Sequence, residues 1–144
     1  ASLDSGEVRR VTDIVSRGLA DYVAPTFESL CRDYVTRRAK DLLGADDVRV
    51  GSWWSARGEI DVVALSAQAR TAVLGECKWS VKPVGEDVLD ELKARAPLLA
   101  LGDKLGLRFA LFSRSGFTRE LAKRAKAESV QLVTLEDLAA ARIV

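Results

Sequence analysis

The chain has no histidine and no methionine, and only two cysteines and three prolines in 144 residues. Without histidine it cannot build a triad with an imidazole base or a histidine-ligated nuclease centre. Cys31 and Cys77 alone cannot form a zinc site, and so few cysteines fit a reducing cytoplasm. No apolar run is long enough to span a membrane, and no signal peptide opens the chain, so a cytoplasmic protein is expected. A chain that begins at Ala1 and holds no methionine is expected to be a piece of a longer protein or a processed form. Neither charge sign dominates: 22 basic and 21 acidic residues leave a net charge of +1. That balance neither demands nor excludes nucleic acid, so any basic footprint must come from local clustering.

What is present suits one soluble domain. Hydrophobic residues make up 48% and charged residues 30%, and the length is enough to bury a real core. There is no internal repeat or low-complexity stretch. The centre is GEIDVVALSAQARTAVLGECKWS, residues 58–80. Its two apolar runs, 60–65 and 71–75, have the length of buried strands. The loop 67–70 closes them into an antiparallel hairpin. With Ser66 and Thr71 as the last pair, Asp61 falls opposite Glu76, with Cβ atoms roughly 5 Å apart. Alternation puts Lys78 on the same face. Two carboxylates facing each other in apolar strands destabilise a sheet. A hard divalent cation, a shared proton or the Lys78 ammonium would each relieve that cost. The same register sets Glu59 opposite Lys78 as a plain ion pair, and a one-residue slip would separate the acids.

The remaining elements follow in order. Val8, Val11, Val15, Leu19 and Tyr22 recur at helical spacing, so residues 5–22 predict a helix with a narrow apolar stripe. Residues 1–24 are accordingly an N-terminal helix or linker, and residues 25–144 the main domain. Pro25 opens a second helix that runs to Leu43 and stops at Gly44. Glu28 lies in its first turn, beside the buried stripe, where the helix dipole alone would favour an acid. Residues 48–54 predict a strand with Trp53 and Trp54 on opposite faces, one for the core and one for a surface or a stacked base. A helix over 86–101, broken at Pro97, carries Lys93 and Arg95. A buried strand over 107–112 follows, then a helix capped by Thr118. That helix carries Arg119, Lys123, Arg124 and Lys126, either a solvated face or a path for a phosphate backbone. A short strand over 130–133 and a helix with Thr134 and Asp137 at capping-box spacing end the chain. The expected fold is α/β, a mixed sheet with helices on both faces.

Asp61, Glu76-Cys77-Lys78 and this element order resemble the PD-(D/E)XK, or restriction-endonuclease-like, nuclease superfamily. Its core is αβββαβ, and extra terminal helices would be additions to it. Ile60 stands where the superfamily name has proline. FESLCRDYV, GSWW, GEIDVVAL and GECKW further resemble the C-terminal nuclease-like domain of archaeal and bacterial AAA-type ATPases, over residues 20–138. FTRELAKRAKAESVQLVTLEDL resembles the C-terminal part of Mrr-like restriction endonucleases. The resemblance implies a metal-dependent DNA endonuclease hydrolysing phosphodiester bonds. Asp61, Glu76, the Cys77 carbonyl and Glu28 would hold Mg²⁺, with Mn²⁺ as a substitute. Lys78 would act at the attacking water or the phosphoryl oxygens. Lys93, Arg119 and Lys123 are candidate DNA contacts. Expected partners are DNA, an AAA-type ATPase domain in the same or another chain, and a second copy in a homodimer. The alternative is a catalytically silent module of the same fold that binds DNA or a partner ATPase.

Overall fold

The computed structural model describes residues 25–143. The helix expected over 5–22 lies outside them. A helix occupies residues 25–37 (α1) and a short one follows at Ala39–Leu43 (α2). The single helix expected from Pro25 to Leu43 is thus interrupted at Arg38, whose φ of −104° and ψ of 20° leave the helical range. Gly44 ends α2 in the left-handed conformation, φ 90°, and its N–H caps the Ala39 and Lys40 carbonyls.

The strands β1 (Val48–Ser55), β2 (Gly58–Ser66), β3 (Thr71–Lys78), β4 (Gly106–Ser113) and β5 (Gln131–Thr134) form one sheet in that spatial order. The first three are antiparallel neighbours, whereas β3–β4 and β4–β5 are parallel. Helix α3 (Glu86–Arg95) and a 3₁₀ turn (Ala96–Leu99) cross from β3 to β4, with the break at Pro97 as expected. Helix α4 (Arg119–Glu128) crosses from β4 to β5, and α5 (Leu135–Ile143) ends the described chain.

Each face of the sheet has its own core, which explains why the central strands read as nearly continuous apolar runs. One side packs Val62, Ala64, Val73 and Phe112 against Phe27, Cys31 and Val35 of α1. The other packs Ile60, Leu74 and Leu111 against Leu89 and Leu92 of α3 and Leu121 of α4. Trp53 contributes to the α3 side, while Trp54 is 78% exposed. The first turn of β4 protrudes beyond the covered sheet, so Leu107 is exposed although the sequence suggested a strand buried throughout.

Local signals work as the sequence implied. Ser66 and Thr71 are the last pair of the β2–β3 hairpin. Its loop is tied by the Ser66 hydroxyl donating to Asp47 (2.7 Å) and by the Gln68 N–H donating to the same carboxylate (3.1 Å). Thr118 accepts from the Leu121 N–H, and Thr134 and Asp137 cap each other reciprocally at 2.9 and 3.1 Å.

Gly75 sits at the tightest point of the sheet. A Cβ there would lie 3.0 Å from a Phe112 ring carbon, 3.1 Å from Val62 Cβ and 3.3 Å from the Ala110 carbonyl. Gly75→Ala should therefore destabilise the domain by about 1–3 kcal/mol, the usual cost of overpacking. Urea unfolding monitored by tryptophan fluorescence checks this, and an unchanged midpoint would refute it.

Candidate active site

The site begins with an irregularity in β2. Gly51 of β1 pairs with Val63, yet Trp53 pairs with Ile60, so Asp61 and Val62 together face the single residue Ser52. This is a β-bulge, a device that re-aims a side chain and weakens pairing. The side-chain alternation shifts with it, since Ile60 and Val63 pack on the α3 side and Val62 on the α1 side. The β2–β3 ladder stops at Val62–Gly75, although β3 stays paired with β4 through Lys78. The Cys77 N–H lies beyond the end of the ladder and donates instead to Asp61 Oδ2, at 2.9 Å. Arg32 of α1 donates to the Asp61 carbonyl at 3.1 Å. Both hydrogen bonds fix Asp61 in place.

Glu76 stands beside it. Asp61 and Glu76 are both buried, 7% and 8% exposed. Lys78 Nζ lies 3.7 Å from Glu76 Oε1, and Arg95 of α3 lies 3.5 Å from Oε2. Despite these two cations, burial first and the Asp61 charge second push the Glu76 carboxyl up to about 7. Desolvation and like-charge repulsion thus outweigh the ion pairs. Glu28 of α1 is also raised, by partial burial and then by the Asp61 charge, so it stands at the margin of the same group. Among the described residues, no three His, Cys, Asp or Glu side chains are gathered as a metal-binding group. The carboxylate donors at the centre are the Asp61–Glu76 pair.

Cys77 and Cys31 are free, buried thiols, and Cys77 is pushed far up by contact with Cys31 and by burial. Both belong to the core, and this shift leaves the Cys77 thiol protonated.

Asp61, Glu76 and Lys78 lie close together, but the expected direct cross-strand pairing of Asp61 with Glu76 is absent: the ladder ends one pair earlier and Asp61 accepts from the Cys77 N–H instead. The expected Glu59–Lys78 pair does not form, because β2 has left β3 before reaching Glu59. Glu59 pairs with Trp54 of β1, and Lys78 turns to Glu76. Lys93 is directed away from the acids: it pairs with Glu128 of α4 and lies 5.8 Å from the Phe109 ring centroid. Arg119 and Lys123 are exposed on α4. Arg95, which the sequence reading placed on the same helix as Lys93 with no partner, is the α3 cation that reaches the acids. The two flank opposite sides of the buried stripe of Leu89, Leu92 and Ala96, and the sequence does not say which flank faces the acids.

A family model described as archaeal and bacterial proteins of unknown function, DUF234, matches residues 1–92. No curated protein matches the sequence. Among solved structures, the MspJI restriction endonuclease in complex with a 27-mer oligonucleotide is similar at a TM-score of 0.55 and 17% identity, over 97% of this chain and 32% of that one. Protein VC1899 from Vibrio cholerae is similar at 0.52 and 21% identity, over 81% and 31%. A repair endonuclease from Pyrococcus abyssi is similar at 0.50 and 14% identity, over 75% and 46%. The chain spans less than half the length of each of these proteins. At these identities the likeness concerns the fold, which is restriction-endonuclease-like.

The raised Glu76 has a thermodynamic consequence. Its folded value of about 7 exceeds the ordinary 4.5, so the folded protein holds the proton more tightly than the unfolded chain. The associated stability is fully present below pH 4.5 and is lost as pH rises through 7. Glu76→Gln removes the charge and should stabilise the metal-free protein at pH 8 by up to about 3 kcal/mol, with little effect at pH 4.5. Denaturant titrations at the two pH values check this, and a variant no more stable than wild type at pH 8 would contradict it.

Proposed function

The chain belongs to DUF234, a family of archaeal and bacterial proteins of unknown function, and from its site we propose a metal-dependent endonuclease that hydrolyses DNA phosphodiester bonds. One observation carries this: two buried carboxylates are held together beside a bulge, each raising the cost of charging the other, with an ammonium next to them. A divalent cation relieves that repulsion, and Mg²⁺ and Mn²⁺ prefer oxygen donors. Asp61 and Glu76 would hold the ion, with the Cys77 carbonyl and Glu28 completing its shell. Bound there, the ion supplies positive charge at the phosphoryl oxygens and lowers the pKa of water.

The chain's own residues do the rest. The Cys77 N–H fixes the direction of the Asp61 carboxylate. Lys78, beside Glu76, would orient the attacking water or stabilise the charge that grows on phosphorus-bound oxygen. Arg95 supplies a second cation on the same side. The DNA complex of the similar MspJI restriction endonuclease supports DNA as the substrate class.

We further propose that the domain works as the C-terminal part of an AAA-type ATPase, in the same or another chain. The support is the resemblance of GEIDVVAL and GECKW to domains of that kind. A homodimer would let two sites cut both strands.

A second reading has an observation of its own. Lys78 and Arg95 already occupy both oxygens of Glu76, an arrangement that also suits a silent module holding DNA or an ATPase. Supercoiled plasmid separates the two. The nuclease should nick it in Mg²⁺ or Mn²⁺ and not in EDTA. Asp61→Ala and Lys78→Ala should each lower the rate by about a hundredfold or more, as loss of a charge-stabilising group does, while circular dichroism stays unchanged. Wild-type rates in both variants would refute the assignment, and wild-type protein inert in both metals would favour the silent module.

Metal binding should also be visible without turnover. Mg²⁺ should raise the melting temperature at pH 8 and have little effect at pH 5, where the Glu76 proton competes with the ion. An equal shift at both pH values would place the ion elsewhere, and no shift in the wild type would remove the metal site.

A further inference from the structure

At the same end of the sheet, one residue beyond β4, lies a cation that the acid pair does not use. The Arg114 guanidinium sits 4.8 Å from the Trp79 ring centroid. Trp79 in turn packs on Phe27 of α1, with centroids 5.2 Å apart. The Arg114 N–H donates to the Lys78 carbonyl at 3.1 Å, so its backbone is fixed to the residue that follows Glu76-Cys77. The loops after β3 and β4 are also stitched together. The Ser115 hydroxyl donates to the Ser80 carbonyl, the Val84 N–H to Gly116 and the Thr118 N–H to Val84, the last two at 2.9 Å. Arg114 therefore projects from a rigid double loop.

Its neighbours are committed elsewhere. Lys78 and Arg95 pair with Glu76, Arg32 donates to the Asp61 carbonyl and to Ser29, and Arg124 pairs with Glu86, Asp90 and Glu128. Arg114 has an aromatic seat and, among the described residues, no carboxylate partner. A guanidinium stacked on an indole keeps its edge donors available for a planar fork of acceptor oxygens, and phosphate provides one.

We propose that Arg114, seated on Trp79, binds a backbone phosphate of the DNA strand next to the one that lies over Asp61 and Glu76. The identity of the polymer rests on the nuclease reading, and the contact itself rests on the stack. Strands β2 and β4 are two positions apart, roughly 10 Å in the sheet. That spacing puts Arg114 on a neighbouring phosphate rather than on the one being cut. It is a positioning residue: it sets where along the strand the acids act.

The test is equilibrium binding of labelled duplex DNA to the full chain, with Ca²⁺ replacing Mg²⁺, over a series of salt concentrations. Arg114→Gln keeps a planar group on Trp79 and loses the charge. It should bind about tenfold more weakly, and its plot of log affinity against log salt should be shallower by about one unit, the loss of one phosphate contact. Arg114→Lys should restore the slope and only part of the affinity. Arg70→Gln, at the opposite end of the sheet, should bind like wild type. Under cleavage conditions Arg114→Gln should raise KM and leave kcat near wild type.

Wild-type affinity and salt slope in Arg114→Gln would overturn the proposal while leaving the nuclease reading intact. Weakened binding by a protein that cuts nothing would uphold the contact and remove the nuclease reading. A wild-type protein that does not bind DNA would end both.

Discussion

Two carboxylates pressed together at the end of a sheet covered on both faces set the terms for the residues around them. Neither acid can be moved away cheaply. Glu76 belongs to β3, which is paired on its β4 side along its whole length, and Asp61 is tied through its carbonyl and its carboxylate. The strain between them is met by the proton that Glu76 retains and by two cations from β3 and α3. A sheet without this conflict would be more stable, and perturbed charged groups of this kind cluster at functional sites.

The architecture explains why the conflict lies where it does. Helix α1 covers one face and α3 and α4 the other, so the central strands are accessible chiefly at their ends. At the carboxyl ends of the parallel strands β3 and β4, both connecting loops lead to the same face, where α3 and α4 pack side by side, and hydrogen bonds tie the two loops together. Lys78 and Arg114 are the residues at those ends, and the bulge in β2 brings Asp61 to the same rim. The sheet thus gathers charged groups from β2, β3 and the end of β4 at one rim.

Much of this was legible in the residues. The hairpin register was one of several that the apolar runs allowed, because strands buried on both faces carry no alternation to exclude a slip, and the structure has the one built on Ser66 and Thr71. The caps at Thr118, Thr134 and Gly44 were legible because their signals are local. The bulge was not, because nothing in SWW or EIDVV marks which strand takes the extra residue. That choice depends on the two cores, which require Ile60 and Val62 on opposite faces. The false Glu59–Lys78 pair came from extending a regular ladder past the bulge. The roles of Lys93 and Arg95 were equally hidden, since both are basic residues on a polar face and only the packing of α3 on β2 and β3 distinguishes them. The break at Arg38 has no proline or glycine to announce it.

The hydrogen bond from Arg32 to the Asp61 carbonyl makes helix α1 and the bulged strand a single mechanical unit. Phe27 and Trp79 clamp the same helix against the end of β3. A torque applied to α1 would therefore reach the carboxylate within a few bonds, rotating its lone pairs relative to Glu76. The helix is in effect a lever whose short arm carries the Asp61 carboxylate.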